Sequence, residues 1–164
     1  METHMKPLKE LFTFDAARSN GVSDYAPGPI PFVTSKEQNN GVVSYITPEE
    51  EDRVFVGPAI AISGLGYASI HTGSFLPKGN GGDSLTILTP KQPMIVEQLI
   101  GVVAAFNTLH KWRFSFGRKC NITRLEDLEI PIDPPTVLDE WSNEKQRIQD
   151  IIANVESKLS HRDT

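Results

Sequence analysis

The sequence has few of the residues that crosslink a protein or hold it in a membrane. Cys120 is the only cysteine among 164 residues, which excludes an internal disulfide and a zinc site made of several cysteines and suits a reducing compartment. No run reaches the roughly 18 apolar residues of a membrane span, and residues 1–10 lack the apolar core of a signal peptide. We therefore expect a soluble, cytoplasmic protein of one domain with a smaller appended element.

Acidic residues outnumber basic ones overall, but not everywhere along the chain. The formal net charge is −5, yet residues 60–124 hold 7 basic and 2 acidic side chains. The flanking residues 1–59 and 125–164 are both acidic. A basic block between acidic flanks indicates an anionic partner on one surface, and a solvated basic face is the ordinary alternative.

Most of the chain before residue 90 consists of short apolar runs. They are separated by turn motifs such as Asn39-Asn40-Gly41 and Gly64-Leu65-Gly66. Such runs predict strands at residues 30–34, 42–46, 54–56, 59–63, 67–71 and 84–88. The period then changes to that of a helix of about five turns, carried by Ile95, Leu99, Val102, Val103 and Phe106. The expected fold class is α+β, with a twisted, mainly antiparallel sheet and flanking helices.

Two further elements are expected before residue 133. Lys111 to Lys119 alternates aromatic and basic residues, which predicts a strand over Arg113–Gly117 with one packed face and one face that presents cations. The order Thr123-Arg124-Leu125-Glu126 has the form of a capping box and predicts a brief helix that ends near Leu128.

A long C-terminal helix is expected after Pro134-Pro135. Its apolar residues form a narrow stripe of alternating spacing three and four, in which Lys145 fills one position. Such a stripe is typical of a coiled coil and needs a partner helix, and docking on its own domain is the alternative. The stripe predicts a dimerisation surface made of Leu138, Trp141, Ile148, Ile152, Val155 and Leu159.

No set of residues supports catalysis. Ser63-Gly64-Leu65-Gly66 and Asp133-Pro134-Pro135-Thr136 are similar to two motifs of adenine methyltransferases, but no helix pattern follows the first and the second lacks an aromatic residue at Thr136. His71 and His110 are far apart in the chain and have no clear carboxylate or second ligand. We expect no catalytic residue, no metal site and no cofactor.

Several blocks together carry a family resemblance. They are Ile30-Pro31-Phe32-Val33-Thr34, Asn39-Asn40-Gly41-Val42, Ile62-Ser63-Gly64-Leu65-Gly66, Arg113-Phe114-Ser115-Phe116-Gly117-Arg118-Lys119 and Arg124-Leu125-Glu126-Asp127-Leu128-Glu129-Ile130-Pro131-Ile132. In this order, from Pro7 to about Pro135, they resemble a target-recognition domain of the specificity (S) subunit of type I restriction-modification systems.

The resemblance implies a non-catalytic subunit that reads one half of a split double-stranded DNA target for partner methyltransferase (M) and restriction (R) subunits. It implies a recognition domain at residues 1–135 and a spacer and dimerisation helix at residues 136–164. Complete S subunits carry two of each, so a half-subunit that forms a homodimer is expected, with a lone recognition module as the alternative.

The candidate DNA-binding residues are polar or basic and come from the expected loops and the basic block. Arg113 and Arg118 are expected on phosphates, whereas His71 and Asn80 are expected on bases. The full set is Asn39, Asn40, Tyr67, His71, Lys78, Asn80, Lys111, Arg113, Arg118, Lys119 and Arg124. The rival hypothesis is an interaction or regulatory module, an adaptor or inhibitor of a restriction complex, that does not bind DNA; the acidic flanks favour it.

Overall fold

The computed structural model describes the backbone of residues 4–132 and 135–160, and the side chains of residues 4–132 and 144–158. Met5–Pro131 form one compact unit, and the described residues of the C-terminal segment belong to a second. The motif at Asp133-Pro134 lies outside the described residues, as do the side chains of Leu138, Trp141 and Leu159.

The described strands are short and the helices few. The strands are β1 (His4–Pro7), β2 (Phe12–Ala16), β3 (Pro27–Val33), β4 (Val42–Ile46), β5 (Phe55–Val56), β6 (Ala59–Ile62), β7 (Ala68–His71), β8 (Ser74–Pro77), β9 (Thr86–Pro90) and β10 (Glu129–Ile132). The α-helices are α1 (Leu8–Leu11), α2 (Val96–Leu109), α3 (Ile122–Leu125) and α4 (Pro135–Ser160).

The strands form two four-stranded sheets and one two-stranded sheet. The first sheet has the order β2-β9-β6-β7 and is antiparallel throughout, the second has the order β4-β3-β8-β5, and β1 pairs with β10. In the second sheet β3 and β8 are parallel, whereas the other pairs are antiparallel. The predicted α+β class and the mainly antiparallel pairing are confirmed, whereas the described strands form three sheets instead of the single twisted sheet expected.

Strand β6 lies at the centre of the core, and all four of its residues are buried. On one face Ala59 and Ala61 pack with Val33, Phe75 and Ile87, which joins the two large sheets. Because side chains alternate along a strand, the other two residues of β6 lie on the opposite face. Helix α2 packs along β7 and β6, so β6 is covered on both sides and can be apolar at every position.

Two helices differ in their bounds from the prediction. Helix α2 has 14 residues and begins after Ile95, whose side chain is exposed, so it is about a turn shorter than expected. Helix α3 begins after Asn121, whose side chain accepts a hydrogen bond from the backbone N–H of Arg124 at 3.0 Å. The expected cap at Thr123 is therefore wrong, because Asn121 satisfies the free N–H groups of the first turn two residues earlier.

The C-terminal helix α4 has 26 residues, as a long helix was predicted. Ile148, Ile152 and Val155 of the predicted stripe are about half exposed, as is Ile151 beside them. Pairing of this helix with another one stays a prediction.

Candidate nucleic-acid interface

Four loops of the compact unit Met5–Pro131 are joined in two pairs by backbone and side-chain hydrogen bonds. They are residues 34–41 after β3, residues 63–67 between β6 and β7, residues 78–85 after β8, and residues 110–121 between α2 and α3. The N–H of Cys120 donates to the carbonyl of Gly64 at 2.8 Å, and the Ser35 hydroxyl donates to Asp83 at 3.2 Å. We call these four segments the loop surface.

The loop surface begins with a left-handed turn. Asn39, Asn40 and Gly41 have φ angles of 51°, 53° and 78°, a backbone conformation that Asn and Gly adopt most readily. The amide N–H of the Asn40 side chain donates to the carbonyl of Ile70 at 2.7 Å, and that of Asn39 donates to the carbonyl of Val42 at 3.0 Å. The predicted turn is confirmed, and both side chains are held in place while they stay exposed.

Lys111 of the fourth segment contacts the first and second segments of this surface, but its charge is compensated. Its ammonium group forms an ion pair with Glu37 and lies 5.5 Å from the centre of the Tyr67 ring. Tyr67 and Lys111, two of the predicted site residues, therefore lie close together. Glu37, which the sequence analysis did not select, neutralises the lysine.

The predicted strand over Arg113–Gly117 is wrong. Lys111–Arg113 form a turn of 3-10 helix, and Ser115 and Arg118 close a two-residue hairpin through two reciprocal backbone hydrogen bonds of 3.0 and 3.1 Å. The indole N–H of Trp112 donates to the carbonyl of Leu109 at 2.8 Å. These local bonds after the end of α2 satisfy the backbone without a partner strand, so the period-two pattern finds no sheet to join.

Of the three aromatic residues that alternate in Lys111–Lys119, one is buried in the core. Phe114 is buried, whereas Trp112 is 73% exposed and Phe116 is 83% exposed. The Arg113 guanidinium lies 4.9 Å from the centre of the Trp112 ring, and the Lys119 ammonium lies 4.6 Å from that of Phe116. The surface thus combines cations with exposed rings at adjacent positions.

Positive charge on this part of the surface is largely uncompensated. Residues 110–124 contain five Lys and Arg residues and no Asp or Glu. Within residues 4–132 and 144–158, no salt bridge involves Arg113, Arg118, Lys119 or Arg124. Arg124 instead donates to the carbonyl of Lys119. A run of cations without a salt bridge is suited to the phosphates of a nucleic acid.

Lys78, a predicted site residue, has a structural partner instead. The ammonium of Lys78 donates to both carboxylate oxygens of Asp83, at 2.7 and 2.9 Å, and this bond holds the pKa of Asp83 below its usual value. Lys78 is therefore committed to an ion pair inside the loop. Asn80 is exposed in the same loop.

His71 is a core residue, and base reading does not fit its position. The side chain is only 7% exposed, its Nε2 lies 2.9 Å from the Ser69 hydroxyl, and its ring stacks on Phe75 at 4.6 Å. Burial lowers the pKa of His71 to about 4, so the imidazole is neutral at pH 7. The alternation of β7 could have indicated this, because His71 shares a face with the buried Ser69.

The features considered for catalysis are structural. The strand β7, not a helix, follows Gly64-Leu65-Gly66, and a Cβ on Gly64 would stand 3.0 Å from the Cα of Asp83. Burial raises the pKa of Cys120 to about 12, which keeps the thiol protonated at pH 7. Among the described residues, no three His, Cys, Asp or Glu side chains lie together as a metal site would need.

Gly66 is expected to be essential for the packing of Phe114, which lies in the basic segment 110–124. Its φ is +86°, and a Cβ would stand 2.6 Å from Cδ2 of Phe114, so Gly66→Ala adds both backbone strain and a clash. We expect Gly66→Ala to lower the free energy of unfolding by about 2 kcal/mol, measured as a lower urea midpoint. Gly73→Ala is the control, because a Cβ there meets no atom within 4 Å. Equal effects of the two substitutions would contradict this account.

Comparison with solved structures finds this fold in S subunits of type I restriction-modification systems. The S subunit from M. genitalium matches with a TM-score of 0.60 and 13% identity, over 91% of this chain and 43% of that chain. The HsdS subunit from Thermoanaerobacter tengcongensis matches with a TM-score of 0.60 and 16% identity, over 92% of this chain and 38% of that one. The fold is therefore that of a type I S subunit.

A third match comes from a structure that describes complex assembly and conformational transition of the type I restriction-modification system. Its TM-score is 0.60 at 17% identity, over 93% of this chain and 39% of that chain. This chain thus spans about two fifths of the length of the three chains that it matches. No family model and no curated protein matches its sequence. None of the described helices is long and apolar enough to cross a membrane.

Proposed function

We propose that this chain is a sequence-specific double-stranded DNA-binding specificity subunit of a restriction-modification system. It directs partner methyltransferase and restriction subunits to a split target, and it carries no catalytic site of its own. Residues 1–135 are the recognition domain, and residues 136–164 are the spacer and dimerisation helix. It acts in the cytoplasm, where such a system binds DNA.

The observation that carries the proposal is the combination of an S-subunit fold with a cationic loop surface. Arg113, Arg118, Lys119 and Arg124 form no salt bridge within the described residues, so their charge is available for an anionic partner. The cations lie on loops that the sheets position, which is where recognition residues are commonly found. This surface favours DNA binding over the rival hypothesis of an interaction module without DNA contacts.

The roles divide by the chemistry of the side chains. Arg113 and Arg118 contact phosphates, which fixes the position of the domain on the duplex. Asn39, Asn40 and Asn80 are the candidates for base edges, because an amide can bond an adenine through a donor and an acceptor at once. Lys111 contributes less charge than the sequence indicates, since it is paired with Glu37.

The proposed assembly is a homodimer formed through α4. The apolar residues Ile148, Ile152 and Val155 are about half exposed and lie at coiled-coil spacing, so a second copy of the helix can cover them. Antiparallel pairing holds two recognition domains apart. A two-fold dimer of this kind reads a palindrome divided by a spacer of fixed length.

The decisive experiment is selection of bound sequences from a pool of random duplexes, followed by titration of the enriched duplex at several salt concentrations. We expect an enriched split motif. The logarithm of the binding constant should decrease linearly with the logarithm of the salt concentration. Arg118→Ala should weaken specific and non-specific binding alike and reduce the salt slope by about one unit. Lys6→Ala, which removes an exposed cation on β1 outside the loop surface, should leave the slope unchanged.

Two results would contradict the proposal. No binding of any duplex at low salt would support the rival interaction or regulatory module. An unchanged salt slope in a folded Arg118→Ala protein would exclude Arg118 as a phosphate contact, even if the intact chain binds DNA.

A further inference from the structure

The most exposed large apolar side chain of the compact unit Met5–Pro131 lies beside Lys119, a cation that forms no salt bridge within the described residues. Phe116 is 83% exposed and occupies the first position of the two-residue hairpin closed by Ser115 and Arg118. The reciprocal backbone bonds of this hairpin fix the path of the chain on both sides of Phe116. The ring is therefore presented by a short, defined protrusion instead of a long loop.

The two exposed rings differ in what they can do. The indole N–H of Trp112 is bound to the carbonyl of Leu109, so this ring is attached to the end of α2. Phe116 has no polar atom that needs a partner. A phenyl ring can therefore leave water for an apolar environment without an unsatisfied hydrogen-bonding group.

The cations around Phe116 are complementary in charge to the phosphates that flank a base step. Arg118 closes the hairpin, and the Lys119 ammonium lies 4.6 Å from the centre of the phenyl ring. Four of the five Lys and Arg residues in 110–124 form no salt bridge within the described residues, and their charge complements the phosphates on either side of a base step. This charge distribution selects DNA as the partner over an apolar protein surface.

We propose that Phe116 is a wedge that enters the target duplex at one base step and partly unstacks it. The inference rests on the proposed function and adds to it a deformation of the bound DNA. Phenylalanine is among the apolar side chains that separate base steps in other DNA-binding proteins. The neighbouring cations hold the backbone phosphates while the ring enters. The deformation makes easily unstacked steps, such as pyrimidine–purine steps, favourable at this position of the target.

The test uses the enriched duplex from the random pool, with 2-aminopurine in place of each adenine in turn. Permanganate oxidation of thymines on both strands provides a second readout. We expect the intact chain to increase 2-aminopurine fluorescence or thymine oxidation at one step of each half-site. Phe116→Ser should abolish this local signal and weaken affinity about tenfold, while the salt slope stays unchanged.

Two variants separate insertion from general loss of surface. Phe116→Leu should retain part of the unstacking signal, because leucine also acts as an apolar wedge. Tyr45→Ser, which removes an exposed aromatic residue on β4 outside the loop surface, should leave the signal and the affinity unchanged. Thermal melting of each variant confirms that it is folded.

The outcomes distinguish this inference from the proposed function. DNA binding by the intact chain with no change in any 2-aminopurine or thymine signal overturns the wedge and leaves the specificity function standing. A signal that persists in Phe116→Ser also overturns the wedge. No binding of any duplex by the intact chain overturns both proposals.

Discussion

Glutamate at both Ile148 and Ile152 should convert a dimer of this chain into monomers. The two residues are 50% and 51% exposed and follow each other in the coiled-coil stripe of α4. Burial of such a side chain contributes roughly 1.5–3 kcal/mol, so replacing both by a charged residue should raise the dimer Kd at least about 100-fold. Light scattering of the intact chain and of the double variant at micromolar concentration measures the change.

The matched control places the same charges on another side of the helix. Ala153→Glu and Asn154→Glu add two glutamates outside the stripe, and this variant should remain dimeric. A version truncated after Pro135 should be monomeric. If the intact chain is already a monomer at micromolar concentration, or if the Ile148→Glu and Ile152→Glu protein dimerises as before, the proposed assembly is wrong.

Acid should destabilise the compact unit Met5–Pro131 through His71. Burial lowers the pKa of this imidazole from 6.5 in the unfolded chain to about 4 in the folded one. The unfolded chain therefore binds the proton first as the pH falls. The contribution of the neutral histidine is complete above pH 6.5 and is lost between pH 6.5 and 4, by at most about 3 kcal/mol.

Urea unfolding at several pH values between 7 and 4 measures this effect. His71→Gln keeps a polar side chain beside Ser69 but does not titrate, so its stability should decrease less steeply over this range. His4→Gln, at an exposed position, should retain the full slope. Equal slopes for the His71→Gln and intact proteins would show that His71 does not cause the acid sensitivity.

The sequence predicted those elements whose signals are local. Alternation and turn residues identified β4 and β6, and the Asn39-Asn40-Gly41 turn follows from the tolerance of these residues for positive φ. The buried face of α2 was visible from its period. The parallel pairing of β3 with β8 was not predictable from such patterns, because β8 is four residues long and meets β3 only after a long crossover.

The candidate site was predictable as a charge pattern but not as a set of available groups. Arg113 and Arg118 lie on the loop surface without a salt bridge within the described residues, whereas Lys78 is paired with Asp83. Lys111 is paired with Glu37, which is 74 positions earlier in the chain and thus beyond any local pattern. The predicted strand over Arg113–Gly117 failed for a related reason, since its hydrogen bonds are made within the segment.

The way in which the loop surface is held has a consequence for how specificity can evolve. The N–H of Thr34 donates to the carbonyl of Gly41, and the N–H of Cys120 donates to that of Gly64, both at 2.8 Å. Main-chain bonds of this kind exist whatever side chain the residue carries. Exposed positions such as Asn80 and Phe116 can therefore be exchanged while the loops keep their paths. Under the proposed function, a few surface substitutions can therefore give the domain a new DNA target while its fold stays the same.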